Sequence, residues 1–414
     1  MEGLTVRWPV LHGPSFRFVR LAGTLGFLLI LISASDLTGQ EPPSIGLKPA
    51  DAVSEATFTR VRAVRELSDG RVILADPGED RVRILNPALT EATDLGRRGR
   101  GPGEYSQPGR LYPLEDDRTL VVDLSSRRWL FLESDRFVET WSAQRATDGT
   151  HEMALRAVDH ANRLLGLLTH RPGEVQSLPV PLPPVPDFAD SVVVVRLEDW
   201  RADSPGSMDT IAVLAGPGVR RFCFSVSSPD ARGTGPIGGC SPVAGEDRFI
   251  SFSDGWLAVV RHEPYQVDWR APDGGWIVGR PVDEEPRPMD VPAERCAAVR
   301  GYPFRGVERE CSRDEGEGRD WPQYVPPFID ALPGMAAPRT PPLFAAPDGR
   351  LLVRRTPLPA DRQTRYDVFA RDGRREAVLT MPSNEAVVGV GRASVYVIET
   401  DGVDLQRLRR HPWP

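Results

Sequence analysis

The chain has 414 residues, 40% of them hydrophobic and 26% charged, which are values of a globular protein with apolar surface enough for a substantial core. Its formal net charge is −7 and Lys48 is its only lysine. A basic nucleic-acid surface is therefore excluded, as is chemistry that turns on a buried lysine, such as Schiff bases and phosphate-binding loops.

The N-terminus comes first. Arg7, Arg17 and Arg20 precede an apolar run from Leu21 to Ile32, which is followed by Ser33-Ala34-Ser35. A charged start, a short apolar stretch and small residues are the marks of an export signal. The run falls short of the ~20 apolar residues of a membrane-spanning helix. Residues 1–40 are thus expected to be a signal peptide, with an uncleaved anchor as the alternative and as the one route to a membrane. No cysteine precedes Cys223, which argues against lipid attachment through an N-terminal cysteine. Residues 41–56 read as a flexible tail and 57–414 as a single domain, periplasmic or extracellular and monomeric.

The stretch Leu67–Leu85 sets the pattern of that domain. Two short apolar runs are separated by turn residues, Asp69-Gly70 and then Asp76-Pro77-Gly78, and Val82 and Ile84 alternate with Arg81 and Arg83. Period-2 alternation between such turns is a β-meander. The 41 prolines and 38 glycines of the chain oppose long helices in the same way. The unit Leu67–Asp76 recurs at Leu114–Asp123, Val158–Leu168, Phe252–Val260, Ala346–Arg354 and Val390–Ile398. Self-similarity at about 45 residues marks a β-propeller, whose four-stranded blades bury both faces only by closing into a ring. Two intervals are doubled, so the count is six or eight. The gaps hold proline-rich segments, poor material for strands, and six blades with long insertions at about 171–190 and 283–342 is preferred.

Further strands complete the blades. Trp129–Leu132 and Phe137–Trp141 fit the second, Val192–Leu197 and Thr210–Leu214 the third, and Tyr265–Arg270 with Trp276–Gly279 and Tyr366–Ala370 with Glu376–Leu379 form hairpins across Asp-Gly turns. Leu405–Leu408 ends the chain. Thr57–Val61 is expected to supply the outer strand of the last blade and close the ring. One surface helix is expected over Asp290–Cys311.

Between the first two copies lies Leu95-Gly-Arg-Arg-Gly-Arg-Gly-Pro-Gly-Glu-Tyr105. Residues 99–105 resemble the Gly-x-Gly-Pro-Gly-Glu-aromatic inter-blade loop of exported bacterial six-bladed β-propellers related to the NHL-repeat group. The likeness extends more weakly over Val61–Asp123 and Phe344–Leu379. It implies an all-β propeller and little about chemistry, because fold does not fix function.

Candidate sites are few. Pro102 removes an amide donor and Glu104 repels phosphate, so the Gly99–Gly103 loop reads as a structural turn, with Arg97, Arg98 and Arg100 as an anion-patch alternative. Ser251-Phe-Ser-Asp-Gly255 has Ser where a nucleophile elbow needs its first Gly, and is read as a turn. His151, His160, His170 and His262 are isolated in sequence, so a metal site would require convergence on the axis; no metal, cofactor or catalytic residue is assigned. Asp76 and Asp123 follow equivalent strands and are expected to accept turn amides. Export favours disulfides, and Cys223 with Cys240 and Cys296 with Cys311 is the expected pairing, free thiols being the alternative. The functional expectation is a binding or scaffold module for a protein, peptide or glycan; the alternative is a hydrolase or lyase with its active site on the axis.

Overall fold

The computed structural model describes residues 42–142, 151–170, 191–198, 208–215, 221–226, 237–242, 246–288, 324–328, 341–358 and 361–414. The repeated turns behave as their residues dictate. Gly70, Gly255 and Gly349 take φ of 84°, 90° and 85°, the left-handed region that a Cβ disfavours. Asp69 Oδ1 accepts the Arg71 amide at 3.0 Å and Asp348 Oδ1 that of Arg350 at 3.1 Å. In the third copy Asn162 stands where glycine would, at φ 58°, and Asp159 Oδ1 accepts the Arg163 amide at 2.9 Å.

Each of the six copies joins the first two strands of one sheet. Strands β1 (Ser44–Ile45) and β2 (Ala52–Val53) precede the sheets. The first blade is β3 (Ala63–Glu66), β4 (Val72–Asp76), β5 (Arg81–Leu85) and β6 (Ala92–Leu95). A short parallel pair, β7 (Arg97–Arg98) and β8 (Glu104–Tyr105), leads to the second: β9 (Pro108–Pro113), β10 (Thr119–Asp123), β11 (Arg128–Glu133) and β12 (Arg136–Ser142). The third is β13 (His151–Val158), β14 (Leu164–His170), β15 (Ser191–Leu197) and β16 (Met208–Ala215). A hairpin of β17 (Arg221–Val226) and β18 (Ile237–Pro242) comes before the fourth, which is β19 (Arg248–Ser251), β20 (Leu257–His262), β21 (Tyr265–Arg270) and β22 (Trp276–Ile277). The fifth is β23 (Leu343–Ala345), β24 (Leu351–Arg354), β25 (Gln363–Phe369) and β26 (Arg375–Pro382). The sixth has β27 (Glu385–Val390), β28 (Ser394–Thr400) and β29 (Gln406–Pro412), with β2 as its fourth strand.

The first strands of the sheets touch in cyclic order, β3 to β9, β13, β19, β23, β27 and back to β3, so they form the inner wall. Six apolar clusters confirm closure, because each fills one seam between neighbouring blades. Leu74 and Leu85 of the first blade pack with Tyr396 and Ile398 of the sixth; Val82 and Leu95 pack with Val121 and Leu130 of the second; the other four seams follow the same plan. The chain is a six-bladed all-β propeller.

Closure differs from the sequence reading in one respect. The outer strand of the sixth blade is Ala52–Val53, antiparallel to Arg409 and Arg410, and Thr57–Val61 contributes only a bridge from Phe58 to Gln406. Two residues make too short an apolar run to stand out as a strand. Residues 41–56, expected as a flexible tail, also hold Ser44–Ile45, which adds a parallel fifth strand to the fifth blade beside Val378 and Leu379. Residues 1–40, the expected helix over Asp290–Cys311, and Cys296 and Cys311 themselves lie outside the described residues.

Candidate functional site

The meander plan gives the ring two unlike ends. The hairpins that join first to second strands and third to fourth leave from one end, the turn end; none spans more than residues 198–207. The other end carries the connections from second to third strand and from blade to blade. Three long ones leave from it: residues 171–190 after β14, 216–247 after β16 and 278–342 after β22.

Charged side chains on the inner strands mostly tie blades together. Arg65 of β3 donates from its guanidinium to the Arg118 carbonyl, the Thr119 hydroxyl and, at 3.5 Å, the Leu114 carbonyl of the second blade. Burial pulls its pKa down to about 10. Glu66 accepts the Tyr396 hydroxyl of the sixth blade at 2.8 Å. Glu385 lies 3.4 Å from Arg409, and burial raises its pKa.

Arg156 behaves differently. Arg110 on β9 lies opposite Val122, and Arg248 on β19 lies opposite Val260, equivalent places in the second and fourth blades. In the third blade, between them, the β13–β14 ladder passes from Leu155 to Ala157, and Arg156 is the residue the bulge inserts. Its Nη1 reaches only the carbonyl of its own neighbour Leu155, at 3.4 Å, and that carbonyl already accepts Arg110 Nη1 at 3.1 Å. Its Nε is buried without a partner, and no carboxylate among the described residues stands in ion-pair contact with it. Burial, then the like charge of Arg110, brings the Arg156 pKa down to about 10; Arg248 acts in the same sense, Tyr112 and Glu246 against it. Glu246 itself is paired with Arg248.

The sequence-predicted residues fall elsewhere. Arg97 is 82% exposed and pairs with Glu104 at 2.7 Å, Arg98 is 76% exposed and pairs with Asp80 at 3.3 Å, and Arg100 is exposed, so the first two bring no unbalanced charge to a patch. The loop they flank is a clasp. Arg128 donates to the carbonyls of Gly99, Arg100, Gly101 and Glu104, at 3.2, 2.8, 3.3 and 2.8 Å. A Cβ on Gly99 would press on the carboxyl end of Glu104, which would have to shift away from its hydrogen bond with the Gly101 amide. The buried Tyr105 hydroxyl donates to the Leu95 carbonyl at 2.7 Å and accepts the Val82 amide at 3.0 Å, stapling the loop to the first blade. Hydrogen bonds from the Gly101 amide and from Arg97 hold the Glu104 carboxyl below its ordinary value.

Asp76 and Asp123 are fully buried and bind amides as expected. Asp76 accepts from Thr59 and Arg60, and Asp123 from Ser106 and Gln107, so each carboxylate ties the strand-entry segment to the turn after the second strand. In the fourth and fifth blades the same register place holds Arg261 and Arg355. They pair with Asp268 at 2.9 Å and Asp367 at 3.0 Å on the third strands, so the charge is exchanged and the tie kept. Asp247 adds a second acid beside Arg261, at 2.8 Å, and accepts His262 Nδ1 at 2.9 Å. The exposed His160 lies in the turn-end hairpin of the third blade, whereas His262 ends β20 at the opposite end, so these two histidines do not converge. Among the described residues no group of three or more His, Cys, Asp or Glu is arranged to hold a metal. Cys223 and Cys240 are cross-strand partners in the β17–β18 hairpin.

Sequence reasoning missed Arg156, since nothing in Leu155-Arg156-Ala157 announces a bulge; the only signal was the recurrence of Arg110, Arg156 and Arg248 near the starts of three successive copies.

No family model and no curated protein matches the chain. Among solved structures it is similar to a member of the DUF4221 family from Bacteroides vulgatus (9% identity, TM-score 0.46, 88% of this chain and 96% of that one). It is also similar to a gluconolactonase from Xanthomonas campestris (12%, 0.41, 90% and 95%). A third is the calcium-binding protein regucalcin from Agrobacterium tumefaciens (8%, 0.41, 90% and 97%). At these identities the likeness concerns coarse architecture alone.

Proposed function

We propose that the chain is an exported propeller that binds a protein, peptide or glycan at the connection end of its ring, with no catalytic step assigned. One observation carries this reading: the three long connections, after β14, β16 and β22, all leave from one end and all belong to blades three to five, while the turn end keeps short hairpins. A rigid ring that holds variable loops on one side is the usual design of a recognition surface. The Arg7–Ser35 segment supports export, and with it a periplasmic or extracellular place.

The test is a peptide and glycan array probed with the chain from residue 42 onward and with a variant whose residues 171–190 are replaced by a short Gly-Ser linker. Binding that is lost with the linker supports the reading. Binding unaffected by it, or turnover of ester, lactone or glycoside substrates by the intact chain, overturns it in favour of a turn-end surface or an axial enzyme.

A further inference from the structure

We draw no further inference here: the strongest candidate, the exposed apolar run Trp276-Ile277-Val278 on the outer edge of the fourth blade, carries nothing, because no feature of the structure shows what covers it.

Discussion

Tyr265, on the third strand of the fourth blade, donates its hydroxyl proton to Asp367, on the third strand of the fifth, at 2.7 Å. The bond crosses a seam and sits in a charged knot. Asp367 also faces Arg355 at 3.0 Å and Arg375 at 3.4 Å, and the Arg355 guanidinium lies 4.8 Å above the Tyr265 ring. Burial, and then the Asp367 charge, hold the Tyr265 hydroxyl well above its ordinary pKa.

Removing the acid from this knot should hurt more than removing the phenol. Asp367→Ala removes the buried acid of the knot and leaves Arg355 and Arg375 to the more exposed Glu284, at 2.9 and 3.4 Å, and is expected to cost about 3 kcal/mol. Tyr265→Phe loses one hydrogen bond to a charged group, about 1.5–3 kcal/mol. Urea unfolding at neutral pH checks the order; a D367A chain no less stable than Y265F would contradict it.

Acid stability should depend on Asp247. Burial alone would push its carboxyl up, but hydrogen bonds from the His262 ring, from Arg261 and from the amides of Ala215 and His262 bring it down to about 2. The unfolded value is near 3.9, so the folded chain releases this proton more readily. The stabilisation is complete above about pH 5, falls away as pH drops through about 2, and amounts to roughly 2–3 kcal/mol. Unfolding free energies between pH 2 and 6 should show this slope in the wild type and lose it in Asp247→Asn.

The two amide-binding carboxylates should act independently. Asp123 serves the amides of Ser106, Gln107, Ser125 and Ser126, and Asp76 those of Thr59, Arg60, Gly78 and Glu79. Alanine at either place removes a buried carboxylate from a set of part-buried amides, at about 1–3 kcal/mol. Because the two sets of partners share no residue, the double variant should equal the sum within about 0.5 kcal/mol. Denaturant midpoints of the three variants test this, and a strong departure would reveal coupling along the intervening loop.

Cys223 and Cys240 should form a disulfide. Directly opposed residues of an antiparallel pair have α carbons about 4.5–5.5 Å apart, inside the span of the bond. Mass spectrometry of a non-reduced digest should find their peptides joined. Both thiols reacting with iodoacetamide in denaturant without reductant would exclude the pairing.

How much of this the sequence disclosed follows from what each residue type must do locally. Asp69-Gly70-Arg71 and Pro347-Asp348-Gly349-Arg350 declare a turn by their own chemistry, so all six first hairpins were legible and with them the blade plan. The clasp around Tyr105 was legible from its glycines. Ala52–Val53 was not, because a closing strand borrows its pattern from a partner more than 350 residues away, Arg409 and Arg410. Arg156 was hidden for a related reason: its meaning depends on the register of β13 against β14 and on neighbours in two other blades.

The pairing of β2 with β29 has a consequence for the order of events in the cell. Ala52 and Val53 are made more than 350 residues before their partners Arg410 and Arg409. Until then the sixth blade lacks a wall and the seam filled by Leu74, Leu85, Tyr396 and Ile398 stays open. A nascent chain therefore stays an unfastened belt until β29 has emerged, and a factor that holds β2 before the buckle meets would keep it threadable.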